Sequence, residues 1–164
     1  MARQKVVLAD ASPLIVLARI GRLDWLRKLY RSVLVTRSVR GEISVRGQPG
    51  ADALSAAIKG KWIRQVRSEP KEPEFVRLDE GEASVLRVAH KLGDRALVIL
   101  DDLVARREAR RLGVEFIGTA GLIIEARAAG LIHRAAPVFE QLAAEGFYLS
   151  AELVDAILVE LGER

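Results

Sequence analysis

The fold is constrained most strongly by short apolar runs that are separated by helical patterns. The clearest run is Ala96-Leu97-Val98-Ile99-Leu100, which has the length and composition of a buried parallel strand. Val6-Val7-Leu8-Ala9 is a second such run, and shorter strands are predicted at 33–35, 62–66 and 115–117. Helical patterns are found at 13–20, 23–30, around 39–43, at 51–58 and 79–91, from the residues after Asp102 to Arg111, and at 118–129, 137–144 and 151–161. This alternation predicts an α/β fold of three layers, in which helices cover both faces of a mainly parallel central sheet of four to five strands.

The composition is that of a folded protein, and the length predicts a single domain over residues 1–164. Half of the residues are apolar and 29% are charged, a balance that argues against disorder. Aromatic residues make up only 5%, which argues against the base-stacking platforms of many single-strand-binding proteins. Cysteine is absent, so disulfides, thiolate catalysis and zinc–thiolate sites are excluded.

We expect a cytoplasmic protein without a membrane anchor. A chain without cysteine fits a reducing compartment. The first apolar run is too short for a signal peptide and is interrupted by Asp10. No apolar run approaches the ~20 residues that a membrane-spanning helix needs. The net charge of +4 favours a polyanionic partner such as RNA.

Acidic residues follow the two longest predicted strands. Asp10 comes directly after the first strand, and Asp101 and Asp102 come directly after the strand at 96–100. If these strands are parallel, their carboxyl ends meet at one edge of the sheet, where ligands bind in open α/β folds. Carboxylates held close together repel each other, and Mg²⁺ or Mn²⁺ would remove that penalty. Alternatively, Asp10 accepts amide hydrogen bonds from the next helix, and Asp101 or Asp102 is an ordinary helix N-cap.

Two further acids lie on predicted helices, where simpler explanations also hold. Glu82 lies in Leu-Asp-Glu-Gly-Glu-Ala (78–83), and acids in a first turn also complement the helix dipole. Gly81 is harder to explain there, because glycine weakens a helical turn. Glu42, taken alone, is interpreted as a solvent-exposed helix residue. His90 and His133 have no metal-ligand spacing around them and are interpreted as structural or surface residues.

Five segments in this order resemble PIN domains, the nuclease fold of the toxin ribonucleases in VapBC-type toxin–antitoxin pairs. The resemblance is strongest to a prokaryotic subgroup of PIN-like nucleic-acid-binding proteins. It covers nearly the whole chain. The segments are Val-Leu-Ala-Asp-Ala-Ser-Pro-Leu-Ile (7–15), Val-Arg-Gly-Glu-Ile (39–43), Leu-Asp-Glu-Gly-Glu-Ala (78–83), Val-Ile-Leu-Asp-Asp-Leu-Val-Ala-Arg-Arg (98–107) and Gly-Thr-Ala-Gly-Leu-Ile (118–123).

The resemblance implies a role for each matching residue. Asp10 would be the metal ligand of the first strand, Glu42 an acid at the rim of the site and Glu82 the third acid. Asp101 or Asp102 would supply the fourth acid, with the choice between them open. Ser12 and Thr119 match hydroxyl positions beside the acids. Toxin members commonly carry Asp near the third position, where this chain has Glu82, whose longer side chain can still reach a metal.

The same resemblance implies an activity and partners. It predicts a Mg²⁺- or Mn²⁺-dependent ribonuclease that hydrolyses RNA phosphodiester bonds, a homodimer and, for toxin members, an antitoxin protein. The alternative is a PIN-like module that binds RNA or a partner with little or no turnover. A phosphotransferase with Asp10 as nucleophile fits less well, because Ser12 occupies the place of its second Asp and no lysine follows Lys91. No glycine-rich nucleotide loop is present.

Arginines lie near the predicted acids on two helices and are candidate RNA contacts. One group follows the Asp pair and the other flanks Glu42. They are either phosphate ligands or a solvated face, with Glu108 as a counter-charge in the first group. The residues are Arg106, Arg107, Arg110 and Arg111 in the first group, and Arg37, Arg40 and Arg46 in the second.

Overall fold

Five parallel strands form one sheet in this computed structural model, which describes residues 4–164. The strands are β1 (Val6–Ala9), β2 (Val33–Val35), β3 (Ile63–Gln65), β4 (Ala96–Ile99) and β5 (Glu115–Ile117). All four pairings between neighbouring strands are parallel. The predicted α/β fold with a central parallel sheet flanked by helices is therefore confirmed.

Helices follow every strand. They are α1 (Ala11–Arg19), α2 (Asp24–Tyr30), α3 (Arg37–Ile43), α4 (Ala51–Lys59), α5 (Glu80–Leu92), α6 (Leu103–Arg111), α7 (Thr119–Ala128), α8 (Ala136–Ala144) and α9 (Ala151–Glu160). The described chain forms two compact units, one that ends at Thr119 and one over Ala120–Arg164. The first unit contains the whole sheet and α1–α6. None of the helices within residues 4–164 is long and apolar enough to span a bilayer.

Most predicted boundaries lie within one or two residues of those observed, but the beginning of α1 was predicted wrongly. The helical pattern at 13–20 begins at Pro13 and predicts Ser12 as its N-cap, because serine is favourable at that position. The helix begins at Ala11, its N-cap position is Asp10, and the exposed Ser12 lies in the first turn. Pro13 is tolerated there because the N–H groups of a first turn have no partner within the helix. For α3 the sequence allows either Thr36 or Ser38 as the N-cap, and the cap is Thr36, whose Oγ1 accepts from the backbone N–H of Val39 at 3.3 Å.

The strand order β3-β2-β1-β4-β5 places a topological switch point between β1 and β4. From β1 the chain builds one half of the sheet outward to β3, and it then returns to add β4 and β5 on the other side of β1. The register pairs Ala9 with Ile99, and the backbone N–H of Asp10 donates to the carbonyl of Ile99 at 3.0 Å. The residues that follow β1 and β4 therefore lie side by side at the carboxyl edge, where open α/β sheets bind ligands.

The core is aliphatic, and its few buried polar side chains concentrate near the carboxyl edge. Leu8, Val98 and Ile99 are fully buried in the central strands. Four polar or charged residues in the described chain are also buried. One directly follows β1, one directly follows β2, and one begins α7 after β5. They are Asp10, Thr36, Thr119 and, on α5, Ser84.

A chain of hydrogen bonds links the beginning of α3 to the first turn of α5. Thr36 Oγ1 and Ser84 Oγ are 2.7 Å apart, and Ser84 Oγ donates to the carbonyl of Gly81 at 2.8 Å. Because Ser84 has one hydroxyl proton, Thr36 is the donor in the contact between the two hydroxyls. The chain fixes the first turns of α3 and α5 against each other.

Within the second unit, Glu163 holds the beginning of α8. Its carboxylate accepts from the backbone N–H groups of Ala135 and Ala136 at 2.8 and 3.1 Å, and it lies 3.2 Å from Arg127 Nε. Burial acts to raise the pKa of Glu163, but the two backbone hydrogen bonds and the nearby arginines outweigh it and lower the pKa. The last residues of the described chain are thereby attached to the α7–α8 connection.

Breaking the Thr36–Ser84 pair should destabilise the protein. Thr36→Val or Ser84→Ala alone should lower the free energy of unfolding by about 1–3 kcal/mol, because each leaves a buried polar partner unsatisfied. The double variant should cost less than the sum of the two, since it removes both partners. Urea unfolding of the four proteins gives the coupling, with Ser55→Ala as an exposed control. Strictly additive losses would contradict the hydrogen-bonded pair.

Candidate active site

Asp10 is a buried carboxylate at the end of the central strand. Only 6% of the residue is exposed, and it forms no ion pair with any cation in residues 4–164. Burial raises its pKa to about 6, the backbone N–H of Ala11 acts in the opposite direction, and Asp79, Glu42 and Asp102 raise it further. The fold thus places a carboxylate among other carboxylates, which is electrostatically unfavourable.

Gly81 explains how Glu42 and Asp79 come close to Asp10. A Cβ built on Gly81 would collide with Glu42 Oε1 and would lie 3.3 Å from Asp79 Oδ1 and 3.5 Å from Asp10 Oδ1. Oxygens from three separate segments therefore lie within 3.5 Å of one point beside the glycine. The glycine at this position of α5 leaves room for three carboxylates. Burial and the charge of Asp79 raise the pKa of Glu42.

Glu82 belongs to the same group and also caps its own helix. The backbone N–H of Glu82 donates to Asp79 Oδ1 at 2.8 Å, and the backbone N–H of Asp79 donates to Glu82 Oε2 at 3.2 Å. This is a capping box, in which two side chains satisfy two helix-end donors. Burial raises the pKa of Glu82 to about 7, with contributions from Asp102, Asp79 and Asp10, and against the hydrogen bond from Asp79.

The two adjacent aspartates after β4 face different surroundings. Asp101 accepts from the backbone N–H of Thr119 at 2.8 Å and from Thr119 Oγ1 at 2.6 Å, and it lies 3.6 Å from Arg106 Nη2. Asp102 caps α6 by accepting from the backbone N–H of Ala105 at 2.8 Å, and its charge raises the pKa of both Asp10 and Glu82. Of the pair, Asp102 is the residue that acts on the acids, while Asp101 holds the beginning of α7.

The structure thus brings most of the predicted acids together and adds one. We refer to Asp10, Glu42, Asp79, Glu82 and Asp102 as the acid cluster. The added residue is Asp79, which the sequence presented only as part of the segment 78–83 around Glu82. The Asp-x-x-Glu spacing of 79–82 is a capping-box signature that could have placed Asp79 beside Glu82 at the beginning of the helix.

The remaining candidates lie apart from the acid cluster. Ser12 is exposed and forms no hydrogen bond with an acid in the described chain, and Thr119 binds Asp101. The catalytic roles of all these residues stay predictions. His90 and His133 are both exposed, which fits their interpretation as surface residues.

The donor chemistry of the acid cluster fits a hard divalent cation. All of its side chains offer carboxylate oxygens, which Mg²⁺ and Mn²⁺ prefer, and bound positive charge would offset their mutual repulsion. Within residues 4–164, however, no three His, Asp or Glu side chains are arranged as a ready-made metal site. The exposed Glu42 carboxylate lies at the end of a side chain that can rotate. Metal binding therefore requires side chains of the cluster to turn toward the ion.

The predicted RNA-binding arginines fall into two groups. Arg106 Nε donates to the carbonyl of Leu100 at 2.9 Å, and both Arg106 and Arg110 lie over the ring of Phe116, at 5.4 and 5.1 Å. Arg111 pairs with Glu108 at 2.7 Å, which is the counter-charge considered above. These contacts tie Arg106 and Arg111 to their own surroundings.

The other arginines are more available. Arg107 is exposed and has no ion pair in the described chain, and Arg37 is exposed too. Arg40 forms one long hydrogen bond, 3.5 Å, to Gln65 Oε1. RNA binding by any of these residues stays a prediction.

Comparison with known families settles the membership of this chain. A family model described as "DUF3368: PIN domain" matches residues 6–163. The chain belongs to the PIN-domain family. Proteins of this family are generally nucleases and typically depend on divalent metal ions. The resemblance drawn from five sequence segments is therefore confirmed.

A solved structure that resembles this PIN domain is a PilT N-terminus domain protein from the hyperthermophilic archaeon Sulfolobus solfataricus P2. It has 17% sequence identity and a TM-score of 0.48, and the match covers 74% of this chain and 92% of that one. None of the curated proteins matches the sequence.

The buried acid of this PIN domain should make its stability depend on pH. Because the folded-state pKa of Asp10 is raised from 3.8 to about 6, the folded protein binds protons more tightly, and stability falls as pH rises through this range. Two pKa units correspond to about 3 kcal/mol. In EDTA, Asp10→Asn should therefore be more stable than the wild type at pH 8, and the difference should shrink toward pH 4.

Urea unfolding over this pH range measures the effect, and Asp94→Asn is the matched control. Asp94 is an exposed aspartate that precedes β4, at the opposite edge of the sheet. Equal pH profiles for the wild type and Asp10→Asn would contradict a buried, charge-repelled Asp10.

The two adjacent aspartates should respond differently to the same substitution. Asp101→Asn should lower the free energy of unfolding by about 1–3 kcal/mol, because an amide cannot accept from both donors of Thr119. Asp102→Asn should change it by less than about 0.5 kcal/mol, since asparagine is an equally good N-cap. Stabilisation by Mn²⁺ should be reduced in Asp102→Asn and retained in Asp101→Asn. The reverse pattern in urea unfolding with and without Mn²⁺ would show that the roles are exchanged.

Proposed function

We propose that this PIN domain is a ribonuclease that hydrolyses RNA phosphodiester bonds at the acid cluster with Mg²⁺ or Mn²⁺ bound. The observation that supports it most directly is the convergence of five carboxylates at the switch point of the sheet, with a buried Asp10 that no cation in residues 4–164 neutralises. Folds tolerate such repulsion chiefly where function requires it. The basic net charge favours a polyanionic substrate.

Each acid has a distinct part in the proposed reaction. Asp10 and Asp102, on adjacent strand ends, and Glu82 would hold the metal, and Glu42 would complete the set from the exposed side. When bound, the metal would lower the pKa of a water molecule and stabilise charge on the phosphate. Asp79 orients Glu82 through the capping box.

A second candidate function is RNA binding without turnover. One observation favours it: the acids are not arranged as a ready-made metal site within the described residues. This alternative predicts the same fold and RNA affinity, but no cleavage. The antitoxin partner and the homodimer remain proposals from the resemblance to toxin ribonucleases, and the cytoplasmic location remains a proposal from the absence of cysteine.

Cleavage of a pool of labelled RNAs by the purified protein tests the proposal. We expect cutting with Mn²⁺ or Mg²⁺ and none in EDTA. Asp10→Asn should abolish it because the substitution removes a central carboxylate, while Asp94→Asn should cut like the wild type. Cutting by Asp10→Asn at the wild-type rate would place the activity elsewhere. A wild type that is stabilised by Mn²⁺ yet leaves every RNA intact would favour the second candidate.

A further inference from the structure

A concave basic surface lies beside the acid cluster, between the end of α3 and α4. It encloses a cavity of about 560 Å³. The apolar side chains of Ile43 and Ile58 contribute to its lining. The charged and hydroxyl residues that line it are Arg40, Ser44, Arg46, Asp52, Ser55 and Lys59. Three cations and one acid give this lining a net positive charge, which attracts anionic groups. We call it the α3–α4 cavity.

The cations of the α3–α4 cavity are largely uncompensated. Arg46 and Lys59 are exposed, and neither forms an ion pair with another residue between 4 and 164. The Ser55 hydroxyl also forms no hydrogen bond in this part of the chain and can donate to a ligand. Two free cations and a free hydroxyl on a concave surface match the needs of a phosphate group.

A second cavity lies between the α3–α4 cavity and Glu42 of the acid cluster. This smaller cavity of about 210 Å³ shares Ile43, Val45 and Ala51 with the α3–α4 cavity, and Glu42 lines it. Glu42 is the residue whose carboxylate approaches Gly81 beside Asp10. The cations and the acid cluster are therefore neighbours through Ile43, which lines the α3–α4 cavity, and the adjacent Glu42, which belongs to the cluster.

We propose that the α3–α4 cavity binds a backbone phosphate of a single-stranded RNA whose neighbouring segment lies at the acid cluster. This inference rests on the proposed function and adds to it the path of the substrate. Arg46 and Lys59 are the phosphate ligands, and Ser55 donates a hydrogen bond. The acids themselves repel the strand, so its attraction to the site comes from these cations.

The chain offers a matched control at the opposite edge of the sheet. A cavity of about 300 Å³ there is lined by Arg31 and Arg64 among others. Both are exposed, and neither has an ion pair in the described chain. Arg31→Gln/Arg64→Gln removes the same charge as Arg46→Gln/Lys59→Gln, but Arg31 precedes β2 and Arg64 lies within β3, away from the carboxyl edge.

Binding is measured in EDTA, where cleavage cannot interfere, by fluorescence anisotropy of a labelled oligouridine over a series of KCl concentrations. Each phosphate contact contributes about 0.7 to the slope of log K against log salt for a single strand. Because both cations would bind one phosphate, Arg46→Gln/Lys59→Gln should lower the magnitude of that slope by roughly 0.7 and weaken binding at low salt. The control pair should retain most of the wild-type slope and affinity.

Three results would overturn the assignment. They are equal losses in the two double variants, an unchanged slope in Arg46→Gln/Lys59→Gln, or loss of inorganic phosphate binding in that variant while oligouridine binding is retained. The cleavage assay with Mn²⁺ separates this inference from the proposed function. Cutting by the wild type with no oligouridine defect in Arg46→Gln/Lys59→Gln defeats the cavity alone. A cavity-dependent affinity without cutting by the wild type defeats the nuclease activity alone.

Discussion

A carboxylate buried among carboxylates is the constraint around which the first unit of this protein is arranged. Asp10 follows β1 at the point where the strand order reverses, so β4 necessarily delivers its own acids alongside. Burial and like charges both raise the pKa of Asp10, and no cation in the described chain offsets them. A fold selected for stability alone would not retain this combination. The arrangement is explained if the site binds a cation, whose positive charge would offset the repulsion among the carboxylates.

The acids are held in place by the same interactions that begin the helices. Asp79 and Glu82 cap α5 reciprocally, Asp102 caps α6, and the Thr36–Ser84 pair joins the beginnings of α3 and α5. Each cap uses one carboxylate oxygen and leaves the other without a hydrogen bond in the described chain. Helix capping and metal binding are therefore compatible in one side chain. The simple explanation considered for these acids from sequence is correct and does not exclude the functional one.

The sequence was sufficient to predict the strands and the acids that follow them, because apolar runs of strand length and strand-end carboxylates are local patterns. It could not separate Asp101 from Asp102. Adjacent residues beyond a strand point in different directions, and the choice depends on where α6 begins and on Thr119, which follows another strand. The reason for Gly81 was equally hidden, since the glycine makes room for Glu42, which lies far away in the sequence. From sequence, Arg106 was a candidate RNA ligand, because nothing in the sequence shows that its side chain is already engaged. Its contacts with Leu100 and Phe116 form only in the folded protein.

The net charge of a nuclease does not explain where on its surface an RNA strand would bind, because binding depends on how the charges are distributed. The acid cluster repels a polyanion, and its repulsion is strongest where the scissile phosphate must lie. Affinity has to come from cations displaced from the acids, close enough to hold the same strand but not so close that they neutralise the carboxylates. The α3–α4 cavity satisfies both conditions: its cations do not pair with the acids, and Glu42 joins the two regions. If RNA binds as we propose, it is the separation of opposite charges between these two regions, and not the total of +4, that positions the phosphodiester strand.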